Sequence, residues 1–315
     1  MTSTLVRRHR PRPSSSWTRD AHARTRDWAE IQERMLVPLY EAVYERLDVG
    51  AETHLLGLGC GSGLALLMAA ARGATVCGVD TDEPRLDLAR ERLTAPRAPG
   101  GHGAPGGHGA PGGHGAPGRS ARLGPGGPES PCVQEAAANA AFTVVTAFEP
   151  LSALDAEGSG AAVSAAASTL AAAAARTERG GAVVLAGWGP PERCATSGVL
   201  RVGARLADPM YSPGERREEP TPARWRLCGR DDLEELAARA GLRPDGSGRV
   251  ACPFGYADMD SAVRGLLSTG LFDAAERATD PTQVRKEITE ALHPHRRADG
   301  TVWMPNVFRY LICRV

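Results

Sequence analysis

Three glycines stand at alternate positions, Gly59, Gly61 and Gly63, between a short apolar run and an apolar helical segment. A turn built from glycine lets a ligand approach the backbone closely, and the first amides of the following helix can donate hydrogen bonds to that ligand. In open parallel sheets, ligands bind at the carboxyl ends of the strands. We therefore interpret this turn as a binding site, although glycine-rich turns with a purely structural role are also common.

Asp80 ends the next apolar run, 17 residues after Gly63. A carboxylate at the tip of that neighbouring strand can accept hydrogen bonds from both hydroxyls of a ribose, which indicates a ligand that contains a nucleoside. Dinucleotide-binding turns carry their third glycine one position later, where this chain has Leu64. A nucleotide-dependent oxidoreductase is therefore the weaker alternative.

The segments around these residues alternate between strand and helix patterns. Apolar runs at 53–58 and 75–79 predict strands, and the stretches 64–71 and 84–93 predict helices. This order predicts an α/β fold with a Rossmann-like, doubly wound, mostly parallel sheet, preceded by N-terminal helices. Pro38 is expected to kink or split the leading helix. Further strands are predicted at 142–148, 182–186 and 307–313, and further helices at 20–47, 161–179, 231–240, 261–267 and 282–292.

Glycine and proline concentrate in one stretch, 96–131, which holds 13 Gly and 8 Pro in 36 residues. Three copies of Gly-His-Gly-Ala-Pro-Gly at 101–118 place His102, His108 and His114 six residues apart. Ordering such a tract around a metal ion costs much conformational entropy, so we interpret the stretch as a disordered insert. The predicted organisation is a flexible basic tail (1–19) and a single domain (20–315), interrupted by this insert and by a variable lid at about 194–227.

Composition excludes several classes of protein. The 37 basic and 37 acidic residues balance, so no overall field attracts nucleic acid or an anionic membrane. No run approaches the roughly 18 apolar residues that a membrane span needs. The seven cysteines contain no CxxC pair, which argues against a zinc site or a disulfide framework and favours buried or incidental thiols. We expect a cytoplasmic protein with no metal, nucleic-acid or membrane partner; the oligomeric state is left open.

Four segments resemble the class I S-adenosylmethionine-dependent methyltransferase superfamily, and within it the type 11 or UbiE-like small-molecule group. They are 54–63, with the G-x-G-x-G spacing, and 76–80, 142–148 and 179–185. The resemblance implies that S-adenosyl-L-methionine is the cofactor. It further implies that Gly59, Gly61 and Gly63 pass under its methionine part, that Asp80 holds its ribose and that Glu149 borders it. Trp28 and Gln32 could close over the site, with a core position as the equal alternative.

This chain departs from the superfamily pattern at three places. Gly57 stands where an acidic residue commonly helps to hold the charged methionine end, and Thr143 replaces a usual aspartate. No clear third strand lies between Leu93 and Phe142, although 120–123 or 132–133 could supply one. These departures motivate an alternative function, a degenerate fold that acts as a non-catalytic binding or scaffold protein.

Methyl transfer from a sulfonium requires an aligned acceptor in a site that excludes water, and alignment alone supplies much of the rate enhancement. If the acceptor is a hydroxyl, His293 and His295 are the candidate catalytic bases, with a surface turn as the alternative. The candidate residues of the acceptor pocket are Trp188, Tyr211, Tyr256 and Asp258. We predict a methyltransferase (EC 2.1.1.-) that acts on a small molecule such as a specialised metabolite.

Overall fold

The main sheet of the computed structural model has seven strands, and residues 16–94, 121–148, 160–207 and 231–315 of the chain are described. The strand order is β3-β2-β1-β4-β5-β9-β6, and β7 pairs antiparallel with β8 in a separate two-stranded sheet. The strands are β1 His54–Leu58, β2 Thr75–Asp80, β3 Arg122–Pro125, β4 Phe142–Ala147, β5 Thr177–Trp188, β6 Arg243–Ala251, β7 Phe254–Tyr256, β8 Val302–Met304 and β9 Val307–Arg314.

The first five strands of this order are parallel, whereas β9 runs antiparallel to both β5 and β6. The sheet is therefore mostly parallel and doubly wound, as predicted. Its strand order reverses between β1 and β4, because β1 pairs with β2 on one side and with β4 on the other. Such a reversal opens a crevice at the carboxyl ends of the strands, which is where ligands bind in open sheets.

Helices cover both faces of the sheet. They are α1 Ser16–Asp27, α2 Val37–Arg46, α3 Leu64–Ala71, α4 Glu83–Thr94, α5 Pro131–Asn139, α6 Gly160–Ala174, α7 Thr196–Ala207, α8 Asp232–Arg239, α9 Met259–Ser268, α10 Asp273–Ala278 and α11 Pro281–Leu292. Leu55 faces one apolar core and Leu56 the other, because neighbouring side chains of a strand point to opposite faces. The first core includes Tyr44 and Leu66, and the second includes Leu170 and Leu236.

The leading helical segment changes its winding twice. After α1, residues Trp28–Gln32 form a π turn and residues Glu33–Leu36 a 3-10 turn, before α2 begins at Val37. Pro38 lies in the first turn of α2, where its missing N–H leaves no hydrogen bond unmade. The predicted split is therefore present, and α1 begins inside the predicted basic tail.

The third strand exists, and it lies within the predicted insert. Residues Arg122–Pro125 pair in parallel with β2 at the edge of the sheet, and 132–133 belong to helix α5. The prediction of an insert that reaches residue 131 was therefore wrong at its carboxyl end. Pro125 fits an edge position, because proline cannot donate to the ladder of a central strand. The three histidines of the repeats lie outside the described residues.

The boundary between helix α6 and strand β5 lies earlier in the chain than predicted. The helix predicted at 161–179 ends at Ala174, and β5 already begins at Thr177. The strand predicted at 182–186 is therefore longer than expected, and Gly180 and Gly181 lie within it, where the register between β4 and β5 shifts. A Cβ at position 181 would lie 3.1 Å from the carbonyl oxygen of Thr143, so no larger residue fits against β4.

None of the helices in the described ranges combines the length and apolar character that crossing a bilayer requires. In the same ranges, no group of three or more His, Cys, Asp or Glu side chains is placed to hold a metal ion.

Buried thiols are a feature of both cores, as the sequence predicted. Five of the six cysteines in the described ranges are buried: Cys60, Cys77, Cys194, Cys252 and Cys313. Burial raises the pKa of Cys77 and Cys252 to about 12 and that of Cys313 to about 11. These thiols are therefore neutral at physiological pH.

We expect the folded protein to expose few thiols to 5,5′-dithiobis(2-nitrobenzoate) at pH 8, and all seven cysteines to react after unfolding. Because the folded-state pKa values lie above the ordinary value of 9.0, the thiols stabilise the fold below that pH. This contribution should be lost as pH rises from 9 towards 12. Rapid reaction of any of the five buried thiols in the native state would contradict the burial.

Candidate ligand site at the glycine turn

The glycine turn has the backbone conformation that only glycine adopts readily. Gly59, Gly61 and Gly63 have φ values of 61°, 55° and 79°. A Cβ at Gly59 would meet no atom within 4 Å, so this part of the turn faces open space. A Cβ at Gly63 would lie 2.8 Å from the Cβ of Ala89, so helix α4 also requires glycine there.

Asp80 holds the turn against the end of β2. One carboxylate oxygen accepts a hydrogen bond from the Gly61 N–H at 2.7 Å, and the other accepts from the Asp82 N–H at 2.9 Å. Asp80 as a whole is only 9% exposed. Each carboxylate oxygen can accept more than one hydrogen bond, so Asp80 keeps capacity for a ligand hydroxyl.

A pocket lies between this turn, the end of β4 and the leading helical segment. Its lining residues are Trp28, Glu33, Tyr40, Gly57, Leu58, Gly59, Cys60, Gly61, Ala65, Leu66, Arg85, Thr146 and Phe148. Burial raises the pKa of the Cys60 thiol, so this side chain is protonated at physiological pH and lines the pocket as a neutral group. The pocket is at the strand-order reversal, where the topology predicts a ligand.

Trp28 forms the roof of the pocket and is 4% exposed. Its indole Nε1 is buried and has no hydrogen-bond partner within the described part of the chain. The Arg85 guanidinium lies over the indole ring, 4.5 Å from a ring centroid, and donates to the Ser268 carbonyl oxygen at 3.2 Å. An indole N–H is a donor only, so a group that completes this site must supply an acceptor.

Glu33 joins the leading segment to the glycine turn. Its Oε2 accepts from the Arg92 guanidinium at 2.7 Å and from the Ser62 hydroxyl, while its Oε1 accepts from the Leu64 N–H at 3.4 Å. Arg92 also donates to the Ala29 carbonyl oxygen at 3.0 Å. The Glu33 side chain is 3% exposed and that of Arg92 is 26% exposed. This buried ion pair fixes three elements around the turn.

Comparison with known proteins gives two local matches and several distant structural ones. A family model described as a methyltransferase domain matches residues 56–100. The methyltransferase GfsG of Streptomyces halstedii is 44% identical over 66 residues, so the match spans 21% of this chain and 22% of that protein.

Two solved structures resemble the whole fold at low identity. A candidate methyltransferase of Bacillus halodurans C-125 is 14% identical, with a TM-score of 0.48 over 87% of this chain and 97% of that chain. A methyltransferase of Thiobacillus denitrificans, determined with S-adenosyl-L-homocysteine, is 16% identical, with a TM-score of 0.43 over 87% and 90%.

The matched segment contains most of β1, the glycine turn, β2 and Asp80. The end of β1 and the turn from Gly59 to Gly61 line the pocket, whereas Asp80 is bonded to that turn and is not itself among the lining residues. Residues 56–100 are therefore similar to a methyltransferase domain. The chain's departures from the superfamily pattern can now be placed in the structure.

Thr143 lies at the start of β4, away from the carboxyl end that borders the pocket. Its hydroxyl accepts from the His54 N–H at 3.0 Å and so joins the beginnings of β4 and β1. The change from the aspartate that the superfamily usually has there thus affects the far edge of the sheet, not the pocket.

Gly57 makes room for Leu66. Gly57 is paired in register with Gly78, and a Cβ at either position would approach a Leu66 methyl group, at 2.9 Å and 2.4 Å respectively. Leu66 is 1% exposed. The two glycines and this leucine are therefore one packing unit, and an acidic side chain at position 57 would collide with it.

We expect Gly78→Ala to lower the free energy of unfolding by about 1–3 kcal/mol, because the new methyl group overpacks the core around Leu66. The loss should be smaller, but not absent, in a Leu66→Val background, which removes the closest methyl group and leaves Leu123 Cδ2 at 2.9 Å and Cys60 Sγ at 3.0 Å. Gly246→Ala is the matched control in a strand, since a Cβ there would meet only an Arg46 nitrogen, at 4.0 Å. Urea denaturation measures all of these variants, and equal stability of Gly78→Ala and the parent would refute the packing argument.

The other predicted site residues are dispersed. Gln32 is buried beside the pocket lining, and its amide oxygen accepts from the Tyr256 hydroxyl at 2.9 Å. Burial raises the pKa of Tyr256, so its phenol is neutral. Trp188 packs against Phe254 and Phe308 at the end of β5, with ring centroids 5.5 and 4.6 Å apart.

Asp258 is the N-cap of α9 and accepts from the Ser261 N–H at 2.7 Å. His293 and His295 form a 3-10 turn after α11; the first is exposed, and burial lowers the pKa of the second. None of these three residues lines the pocket at the glycine turn. Glu149 and Tyr211 lie outside the described residues, as does much of the predicted lid, of which the structure describes helix α7.

Sequence reasoning missed several residues of the site, namely Glu33, Ser62, Arg85 and Arg92. A charged residue on an amphipathic helix is usually solvated, so periodicity gave no reason to select Glu33. Its partner Arg92 is 59 residues away in the chain. The π turn at Trp28–Gln32 directs Glu33 towards the pocket, and the sequence pattern does not predict that turn.

Proposed function

We propose that this protein transfers a methyl group from S-adenosyl-L-methionine to a small-molecule acceptor. One observation carries the proposal: the left-handed glycine turn at the end of β1 is bonded through the Gly61 N–H to the carboxylate at the end of β2. This places an open backbone surface and a ribose-binding type of side chain together at the strand-order reversal. The family match over residues 56–100 covers the same elements.

The residues present suit this cofactor. Gly59 leaves its side of the turn open, Asp80 retains lone pairs for ribose hydroxyls, and the Trp28 N–H lacks an acceptor in the described ranges. When bound, the cofactor supplies a methyl group on a positively charged sulfur. The chain would hold the cofactor through Gly59, Gly61, Gly63 and Asp80 and exclude water with the apolar roof. Gln32 would support that roof through Tyr256, and Glu149 is proposed from the resemblance alone.

A small acceptor is the finer part of the proposal. The chain has no net charge that would gather a nucleic acid, and Trp188, Tyr211, Tyr256 and Asp258 remain the proposed acceptor side. His293 and His295 remain proposed bases for a hydroxyl acceptor. The lowered pKa of His295 keeps its imidazole neutral at physiological pH, which is the form that accepts a proton.

Titration calorimetry of the purified protein with S-adenosyl-L-homocysteine tests the cofactor, and NADH is the matched control ligand. We expect saturable binding of the first and none of the second. Transfer of tritium from methyl-labelled S-adenosylmethionine to compounds in a small-metabolite extract then tests turnover. Binding of NADH in place of S-adenosyl-L-homocysteine would instead support the oxidoreductase alternative.

A second candidate function is a non-catalytic binding or scaffold protein. It is favoured by one observation, the occupation of the Gly57 side-chain position by Leu66. That function predicts cofactor binding without label transfer to any acceptor. It also predicts that Gly57→Asp restores no turnover, whereas label transfer by the parent protein would exclude it.

A further inference from the structure

The pocket at the glycine turn is bordered by one acidic and one basic side chain, Glu33 and Arg85. Both belong to elements other than β1, on which the superfamily pattern would place an acidic residue at position 57. Leu66 occupies that position, so β1 offers no carboxylate there. The negative charge of this pocket therefore comes from the leading helical segment.

The winding of the leading segment brings Trp28 and Glu33 together. In an α-helix, side chains five residues apart point about 140° away from each other. Here the Glu33 N–H bonds to the Trp28 carbonyl oxygen, which is the five-residue bond of a π turn. The two side chains therefore share one face, and a Cβ at Gly61 would lie 3.5 Å from both Glu33 Oε1 and Trp28 Nε1.

Glu33 Oε1 and Trp28 Nε1 both retain hydrogen-bonding capacity, the first as an acceptor and the second as a donor. Glu33 Oε2 already accepts from Arg92 and Ser62, whereas Oε1 has only the long 3.4 Å contact to the Leu64 N–H. Trp28 Nε1 is a buried donor without a partner in the described ranges. Oε1 can accept from a cationic donor, and Nε1 can donate to an anionic acceptor, beside the same glycine.

We infer that Glu33 and Trp28 bind the α-amino-acid end of the ligand, with Glu33 Oε1 accepting from its ammonium group and Trp28 Nε1 donating to its carboxylate. Arg85, stacked on the indole, adds positive charge on the carboxylate side. The inference rests on the proposed function, because the methionine part of S-adenosylmethionine is such a zwitterion. The leading segment thereby replaces the carboxylate that β1 lacks.

Two ligands separate this subsite from the rest of the site. S-adenosyl-L-homocysteine carries the amino-acid end, whereas 5′-methylthioadenosine has the same nucleoside and thioether but ends in a methyl group. The variants are Glu33→Gln, which keeps an oxygen for Arg92, and Trp28→Phe, which keeps an aromatic ring under Arg85. The matched controls are Glu30→Gln, on the exposed side of the same turn, and Trp303→Phe, 39% exposed on β8.

By titration calorimetry, we expect Glu33→Gln to weaken S-adenosyl-L-homocysteine binding roughly tenfold to a hundredfold and Trp28→Phe about tenfold. Binding of 5′-methylthioadenosine should stay within about twofold of the parent in both. The controls should match the parent with both ligands. Should Glu33→Gln not fold, Trp28→Phe decides by the same comparison.

Equal weakening of both ligands, or no weakening of either, would overturn the subsite while leaving the proposed function standing. A parent protein that binds neither ligand would instead refute the proposed function, and the subsite with it.

Discussion

Arg92→Met is expected to lower the free energy of unfolding by about 3 kcal/mol. Removal of one partner from a buried ion pair leaves the other charge uncompensated, and such losses are typically about 3–5 kcal/mol. We take the low end because the Arg92 side chain is 26% exposed and solvent already screens part of the interaction. The variant also loses the bonds to the Ala29 and Ser62 carbonyl oxygens. Urea denaturation followed by circular dichroism measures the effect.

Arg90→Met is the control for this change, since Arg90 lies on the same helix but pairs with Glu83 and Asp87 at the surface. Its loss should stay below about 1 kcal/mol. The double variant Glu33→Gln/Arg92→Met should regain a large part of the stability, because it leaves no unpaired carboxylate. If Arg92→Met and Arg90→Met were equally stable, the Glu33–Arg92 pair would not be structurally important.

Asp80→Ala is expected to weaken S-adenosyl-L-homocysteine binding by roughly a hundredfold. The change removes the proposed ribose contacts and frees the Gly61 N–H, whose bond to the carboxylate orders the turn. Hydrogen bonds to charged groups contribute about 1.5–3 kcal/mol each, and about 1.4 kcal/mol corresponds to tenfold in affinity. Calorimetry at 25 °C on the folded variant gives the dissociation constant directly.

Asp87→Ala is the matched control, because Asp87 is an exposed aspartate on the following helix. Asp80→Asn separates charge from shape, since its amide oxygen can still accept from Gly61 or from Asp82, but its nitrogen cannot. We expect its affinity to fall between those of Asp80→Ala and the parent. An Asp80→Ala protein that binds within threefold of the parent would remove Asp80 from the site.

The central strands were predictable because a parallel strand covered on both faces needs a continuous apolar run. Residues 54–58, 75–80 and 142–147 have such runs, and the structure places strands there. The edge strand Arg122–Pro125 was predicted only as one of two alternatives, 120–123, because an edge position needs few apolar residues and its glycine and proline resemble the preceding repeats. Its identity depends on pairing with β2, which is not visible in local composition.

The glycine turn and the position of Asp80 were predictable from the sequence, because a left-handed backbone turn requires glycine and because an apolar run shows where a buried strand ends. The Glu33–Arg92 pair left none, since it joins side chains that are distant in the chain and ordinary for exposed helices. The Gln32–Tyr256 bond is similar, with 224 residues between its partners. Contacts of this kind depend on how helices dock on the finished sheet, which local patterns do not encode.

The π turn at Trp28–Gln32 makes the leading segment tolerant of a one-residue change in length. A π turn holds one residue more than an α-helical turn of the same rise, so it behaves as a single-residue insertion. Deleting exposed Glu30 would restore α-helical winding and leave Trp28 and Glu33 four residues apart, a spacing that keeps both side chains on one face of the helix. The family match begins only at residue 56, beyond this segment. A one-residue difference in length within this turn therefore leaves the side chains that face the glycine turn in place, and the matched core with them.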